Sequence, residues 1–533
     1  MRLQHQAPAL PRFIAPVLLV SFIALSMYDL SATENGTQAQ AHADLGLQLA
    51  RSGNLERAEA ELRQAVDLEP RNAEFLSALG TLLAMDKKLE ESTTIFRKAL
   101  QVAPNNSTVR RYLAANLWQL HSYAEAKKHL QILLQQHPDD APSRLLLGMV
   151  SENTQDYATA AKMLGSVPVE VIKRPESIAA LASSYYHLHE RDQARDTLRL
   201  LSGDTKAVLL GAEIADQGGD YDEAERLLQL AVASTADSGA LEYRRALVQY
   251  HAGRFSECQR TLQPLIETTN VTPQAYNLLG WCYHRGNEVK RAVEALEHAI
   301  SLAPGDESNY LDLGRILLAH NFVPVALDVA TRATTQFPNS APVFNLRGLV
   351  ESRRLQFTDA IHSYAHAVQL DGGNVDSRLG LARAQVSAGL ISDATLTFNT
   401  AIQRFPKEPR LKVAYAELLL KLGDAGDVVA NARAEKMLRL ALAIDASNAD
   451  ALYKLGNLEL NDGRVAEACK NLQQAVKFSP QSSEAHFALA RAYRRLKRTN
   501  DAAKEMDLYK GLKEKELESQ APEASVPSDE AHN

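Results

Sequence analysis

Residues 276–304 carry one helical spacing twice: Tyr276-x-x-Leu279-Gly280-x-x-Tyr283, then Ala292-x-x-x-Leu296-x-x-Ala299, with Pro304 closing the stretch. Tyr276, Leu279, Gly280 and Tyr283 stand at i, i+3, i+4 and i+7, which is one face of an α-helix, and Gly286-Asn287 breaks it. Ala292, Leu296 and Ala299 form the facing stripe of a second helix. Gly280 and Ala292 are small where two antiparallel helices must approach closely. The stretch predicts a helical hairpin.

Shifting by about 34 residues tests whether this pattern is accidental. The small residue of the first helix recurs as Gly46, Gly80, Ala114, Gly148, Ala182, Gly211, Ala246, Gly314, Gly348, Ala382, Ala416, Gly456 and Ala490. That of the second helix recurs as Ala58, Ala126, Ala160, Ala194, Ala224, Ala326, Ala360, Ala394, Ala434, Ala468 and Ala502, with Ser92 and Cys258 in the second and seventh copies. Prolines such as Pro70, Pro104, Pro138, Pro338, Pro406 and Pro480 end many copies. Fourteen units run from residue 39 to about residue 516. The pattern resembles the tetratricopeptide repeat (TPR), whose aromatic, Leu-Gly, Tyr, Ala and Pro positions recur with the same period. The resemblance implies an all-α fold, an α-solenoid in which antiparallel helix pairs stack into a right-handed superhelix.

A chain of 533 residues suggests several globular domains on length alone, but a repeat overrides that expectation. Each hairpin leaves an apolar face uncovered and buries it by stacking on its neighbour. The formal charge of −7 is small for this length and argues against a dominant nucleic-acid function, which needs a basic stripe. Cys258, Cys282 and Cys469 cannot make a fully paired framework. They read as small packing residues, with a Cys258–Cys282 disulfide as the alternative.

Outside the repeats, Arg2 and Arg12 precede an uncharged run at residues 13–28, the order of an export signal. As a helix the run spans about 24 Å, short of a bilayer core of roughly 30 Å. Ala24-Leu25-Ser26 offers a small-x-small cleavage site. The two readings are a cleaved signal and an uncleaved membrane anchor, both placing the repeats outside the cytoplasm. Residues 29–38 read as a polar spacer with a turn at Asn35-Gly36-Thr37, and residues 517–533 as a disordered acidic tail. Asn54, Lys88, Ser122 and Asp156 fall in turns between paired helices, where short polar residues satisfy free helix ends. Val167-Pro168-Val169 interrupts a helix of unit four, unit five is short, and unit six carries an extra residue at 217–220. These departures predict a local change of curvature between Val167 and Gly219. Extra residues at 423–431 of unit twelve predict a surface loop or an added helical turn.

No phosphate-binding loop, His-Glu-x-x-His or nucleophile elbow is present. His187 and His189 stand at i, i+2 and point apart on a helix, so no metal site and no cofactor is expected. The chain reads as a non-enzymatic binding protein. The resemblance implies that partners lie on a concave surface made by the first helices, at the second, fifth, ninth, twelfth and thirteenth positions of each unit. In units five to eight these include Tyr186, His187, Tyr243, Tyr250, His251, Asn277, Trp281, His284 and Arg285. Aromatic walls with a few donors suit a protein or peptide ligand, and a glycan is the alternative. The competing reading is that Tyr243, Tyr250 and Trp281 pack between repeats. Arg491, Arg494, Arg495, Lys497 and Arg498 form a basic cluster that suits an acidic partner, an anionic lipid or a solvated terminal cap. The Lys and Asn clamp of some TPR domains is not reproduced in any three consecutive units, which speaks against binding of a peptide's terminal carboxylate.

Overall fold

In several hairpins the small residue of the first helix lies beneath a large residue of the hairpin's own second helix, whereas Gly314 lies beneath Leu346 of the next hairpin. In the computed structural model, which describes residues 34–201, 205–233, 238–267, 271–424 and 427–520, a Cβ on Gly280 would meet Leu296 Cγ at 2.7 Å. The same relation joins Gly46 to Leu62 at 2.8 Å, Gly148 to Leu164 at 2.5 Å and Gly456 to Leu472 at 2.7 Å. All four leucines are fully buried. Ser92 fits the small place because its hydroxyl donates to the Gly80 carbonyl at 2.6 Å, which leaves no buried polar atom unpaired there. Among the described residues there are 29 helices and no strand: fourteen hairpins and one short extra helix, Pro168–Ile172. They divide into two compact units, unit one (residues 1–269) and unit two (residues 270–533), each made of several of the numbered repeats.

Each hairpin turns on one left-handed residue. The thirteen described residues of positive φ all stand at the fifteenth position of a unit, between paired helices. Gly53, Gly219, Gly253, Gly389 and Gly463 adopt that conformation without a Cβ penalty, whereas Leu355 at φ 59° carries one. In the stretch 276–304 the left-handed residue is Asn287, at φ 61°, and not Gly286.

Three polar devices join successive hairpins. Asn72, Asn106, Asp140, Asp306, Asn374, Asn448 and Ser482 each accept a backbone N–H of the helix that follows, satisfying amides its first turn leaves unpaired. A basic residue one turn later reaches back six residues to a carbonyl: Arg144 to Pro138 at 2.7 Å, Lys412 to Pro406 at 2.6 Å. Finally, an ion pair links a second helix to the start of the next second helix. It joins Glu59 to Lys88 at 2.8 Å, Lys127 to Asp156 at 2.7 Å and Glu225 to Arg254 at 3.0 Å in unit one, and Glu435 to Arg464 at 2.9 Å in unit two. The sign of the pair reverses between copies while its place does not.

Several expectations are corrected. Asn54 and Asp156 cap their helices, but Lys88 and Ser122 make no cap bond, and Lys88 spends its charge on Glu59 and Asp86 instead. Asn35-Gly36-Thr37 is no turn. It lies in the helix Glu34–Arg51, whose opening turn tolerates Asn and Gly because its amides lack helical partners in any case. The last helix, Thr499–Gln520, runs past residue 517, so only residues 521–533 of the expected tail lie outside the described residues, as does the run 13–28.

The irregular units are explained locally. In unit four the second helix is cut to Tyr157–Gly165, and Pro168 opens the helix Pro168–Ile172 at the position where its missing N–H costs nothing. Unit five keeps only Arg191–Leu198 as its second helix. The insertion in unit twelve lengthens both helices, Pro409–Asp424 and Val428–Ile444, which is the added-turn reading. Cys258 of the seventh repeat is fully buried and disulfide-bonded, as is Cys282 of the eighth, so these two are not merely packing residues, whereas Cys469 is a buried free thiol.

Candidate functional site

Neighbouring first helices are stitched together by side chains, most of them at the expected lining positions. In unit one, Trp118 Nε1 donates to Asn153 at 2.8 Å, Ser183 to Glu152 at 3.3 Å, and His251 Nδ1 lies 2.9 Å from Asp216. In unit two, Asn277 donates to Asn309 at 2.9 Å and to Asp312 at 3.1 Å, and Arg491 to Asn457 at 3.3 Å. These bonds identify one continuous helix face within each unit. They hold its helices in register.

The named residues divide between that face and the interior. Tyr186 is 8 % exposed and does not line a surface. Its ring covers Gly218, where a Cβ would lie 2.5 Å away, and its hydroxyl donates to Asp220 at 3.1 Å. Burial, followed by the Asp220 charge, pushes the Tyr186 hydroxyl well above the usual tyrosine range. Unit six keeps the regular 34-residue spacing from Thr205 to Gly239, so the expected extra residue is not there, and the bare backbone of Gly218 supplies the space for this ring. His187, one position on, is exposed and stacks on Tyr157 with ring centroids 3.9 Å apart. His189 stands in the turn at φ 61°. The two imidazoles therefore have different surroundings, and among the described residues no group of three metal-ligating side chains converges.

Tyr243 and Tyr250 are half-buried, and burial raises the Tyr243 hydroxyl. The Tyr250 ring lies 5.6 Å from that of Phe255, on the second helix of its own hairpin. His251 is exposed.

In unit two, Trp281 is half-buried, its ring edge-on to His284 at 5.5 Å. His284 Nδ1 lies 2.9 Å from His320 Nε2, so one nitrogen of the pair carries a proton and the other accepts it. Burial, with His320 and Arg285 nearby, holds the His284 imidazole below the ordinary histidine range. Arg285 is exposed at the end of the same helix. Asn277, Trp281, His284 and Arg285 thus share one stretch of surface on the helix Pro273–Arg285.

The sequence reading passed over Trp118, Asn153 and Glu152 because the units holding them look aliphatic at most other lining positions. A tryptophan at the twelfth position was the available signal. The basic cluster also divides. Arg498 pairs with Asp501 at 2.7 Å and covers the Tyr493 ring at 4.3 Å, whereas Arg491, Arg494 and Arg495 lie on the lining positions.

Models of the tetratricopeptide repeat match residues 83–150, 215–282 and 356–418, residues 43–107, 430–482 and 453–516, and residues 273–306. Human protein O-mannosyl-transferase TMTC3 is 23% identical over 254 residues, 44% of this chain and 27% of that protein. The protein CTR9 homolog of Arabidopsis thaliana is 23% identical over 286 residues, 51% of this chain and 25% of that protein. The chain spans about a quarter of the length of these curated relatives. Among solved structures, yeast Tom70 is 18% identical with a TM-score of 0.40, covering 92% of this chain and 98% of that one. The APC/C hetero-tetramer Cut9-Hcn1 is 16% identical with a TM-score of 0.36, covering 89% and 94%. With the hairpin, its spacing and the family models in agreement along the repeats, the chain belongs to the tetratricopeptide repeat family.

Proposed function

We propose that this chain is a non-enzymatic scaffold that binds protein partners on the exposed face of its first helices, and that it is exported or held at a membrane by residues 13–28. The observation that supports the reading is the stitched face itself. Side-chain bonds fix its helices in register, so residues such as His187, Trp281 and Arg285 are presented on a preorganised surface, and little ordering is left to oppose binding. Recognition then rests on shape and side-chain complementarity, with no covalent step. Placement in the bacterial envelope, outside the cytoplasm, follows from the charge order around residues 13–28 and belongs to the same proposal.

The test is affinity purification of the tagged chain after mild crosslinking, with identification of the mature N-terminus. Defined envelope proteins recovered with residues 1–28 retained support an anchored scaffold. Recovery of no partner, with an N-terminus near Met27, opposes it and favours a second reading, an accessory subunit of an envelope polysaccharide or protein secretion assembly that binds glycan. Half-buried Trp281 and Tyr250 support that second reading, since aromatic rings stack on sugars. Alanine at each then abolishes retention on polysaccharide gels.

A further inference from the structure

The net charge of −7 conceals a local excess of the opposite sign. At the ninth and thirteenth positions of units eight to fourteen, seven of fourteen residues are Arg or Lys, and one, Glu417, is acidic. The same positions in units one to seven hold one arginine, Arg51, and one acid, Glu213. Positions nine and thirteen are one helical turn apart, on one side of the helix. Successive first helices present Arg315, Arg353, Arg383 and Lys421, one per repeat and alternating between the two rows, and after a neutral repeat Arg491 and Arg495 resume the series. Arg315, Arg353, Arg383, Lys421 and Arg495 are exposed, and Arg491 is half-buried. Arg315 lies 3.3 Å from Asp312 and Lys421 lies 3.9 Å from Glu417. Among the described residues, Arg353, Arg383 and Arg495 have no carboxylate within ion-pairing distance, and Arg495 donates to the Leu460 carbonyl.

We infer that this face of residues 270–533 is a docking surface for an extended acidic segment of a partner protein, with a carboxylate at about every third residue. The inference rests on the scaffold reading and names the chemistry of its partner. Packed helices stand about 8–10 Å apart, so a ladder with one cation per first helix repeats at about that distance. A polyproline II strand advances about 9 Å in three residues, which brings one carboxylate to each rung. A single-stranded nucleic acid carries phosphates more closely than one per helix and gains much of its affinity from aromatic stacking on successive bases. The two rows hold one aromatic residue, Trp281. Unpaired guanidinium groups on a fixed surface attract carboxylates and fix their register.

The test measures fluorescence anisotropy of the full chain with a labelled peptide of about fifteen residues, Glu at every third position among Pro and Ala. A peptide of the same composition with its Glu residues contiguous and an oligothymidine of similar length serve as competitors. The spaced peptide is expected to bind more tightly than either. Combined Arg315→Glu, Arg353→Glu and Arg383→Glu weakens it at least about tenfold, and the corresponding Gln variant, which removes charge without reversing it, weakens it less. Circular dichroism checks that both variants fold. Unchanged affinity in the reversed variant overturns the inference, and tighter binding of oligothymidine overturns it in favour of nucleic acid. If the peptide does not bind while the crosslinked partners of the native chain persist on the reversed variant, the acidic-segment inference falls and the scaffold stands. If no partner is recovered from the native chain and no peptide binds, both fall.

Discussion

Arg195 grips both oxygens of the Asp220 carboxylate, through Nε and Nη2 each at 2.7 Å, and thereby ties the second helix of unit five to the first residue before the second helix of unit six. It occupies the same place as the Glu59–Lys88 and Glu225–Arg254 pairs but is the least exposed of them, since Asp220 is 2 % accessible. Tyr186 completes the site.

Burial alone would raise the Asp220 carboxyl, but Arg195 and Tyr186 outweigh it and hold the group below the usual range. Arg195→Ala leaves that charge buried without its cation and is expected to cost about 2–3 kcal/mol, below the ~3–5 kcal/mol of a fully buried pair because Arg195 is partly exposed. Lys88→Ala, at an exposed pair, is expected to cost much less. Urea denaturation of the two variants measures the contrast. A carboxylate lowered in the fold stabilises above its unfolded pKa of about 3.9 and loses that contribution as pH falls through the folded value. Asp220→Asn therefore flattens the acid limb of a stability profile below about pH 4.

Gly280→Leu drives a side chain into Leu296 and the Ala292 carbonyl, which would lie 2.7 and 3.2 Å from the new Cβ. A loss of about 1–3 kcal/mol follows from overpacking. Glu288→Ala, in the neighbouring turn, removes an exposed ion pair with Arg291 and costs under about 1 kcal/mol. Equal shifts in the two urea midpoints would refute the register assigned to the hairpin.

Leu355 is 73 % exposed at φ 59°, so its side chain contributes strain and little packing. Leu355→Gly is expected to stabilise by about 0.5–1 kcal/mol, the relief of the left-handed penalty less the entropy glycine adds to the unfolded chain. Gly253→Ala is the mirror experiment: nothing lies within 4 Å of its Cβ at φ 73°, so any loss, about 1 kcal/mol, reports conformation alone. Thermal denaturation of both variants reads the opposite signs.

The His284–His320 pair predicts a pH effect of its own. With its folded pKa depressed, His284 takes up a proton more readily when unfolded, so stability declines as pH falls below the unfolded value of about 6.5. His284→Gln removes part of that slope. Hydrogen exchange in the helix Pro273–Arg285 at pH 7 and pH 5 measures it.

The amino-acid sequence by itself determined the helical hairpin, its fourteenfold repetition and the family, because a small residue under a large one at fixed spacing is a local pattern repeated until chance is excluded. It placed Gly280 opposite Ala292 and Leu296, and the contact is there. The lining residues were legible only as positions. Whether Tyr186 faced outward depended on Gly218, 32 positions away, whose missing side chain leaves space beneath its ring. The pairing of Arg195 with Asp220, the stitching of Trp118 to Asn153, and the alternation of arginines over two rows of one face arise between hairpins. Net charge sums over every surface, and a single hairpin does not contain its neighbour, so only the stacked structure decided which charges stand together and which are spent on each other.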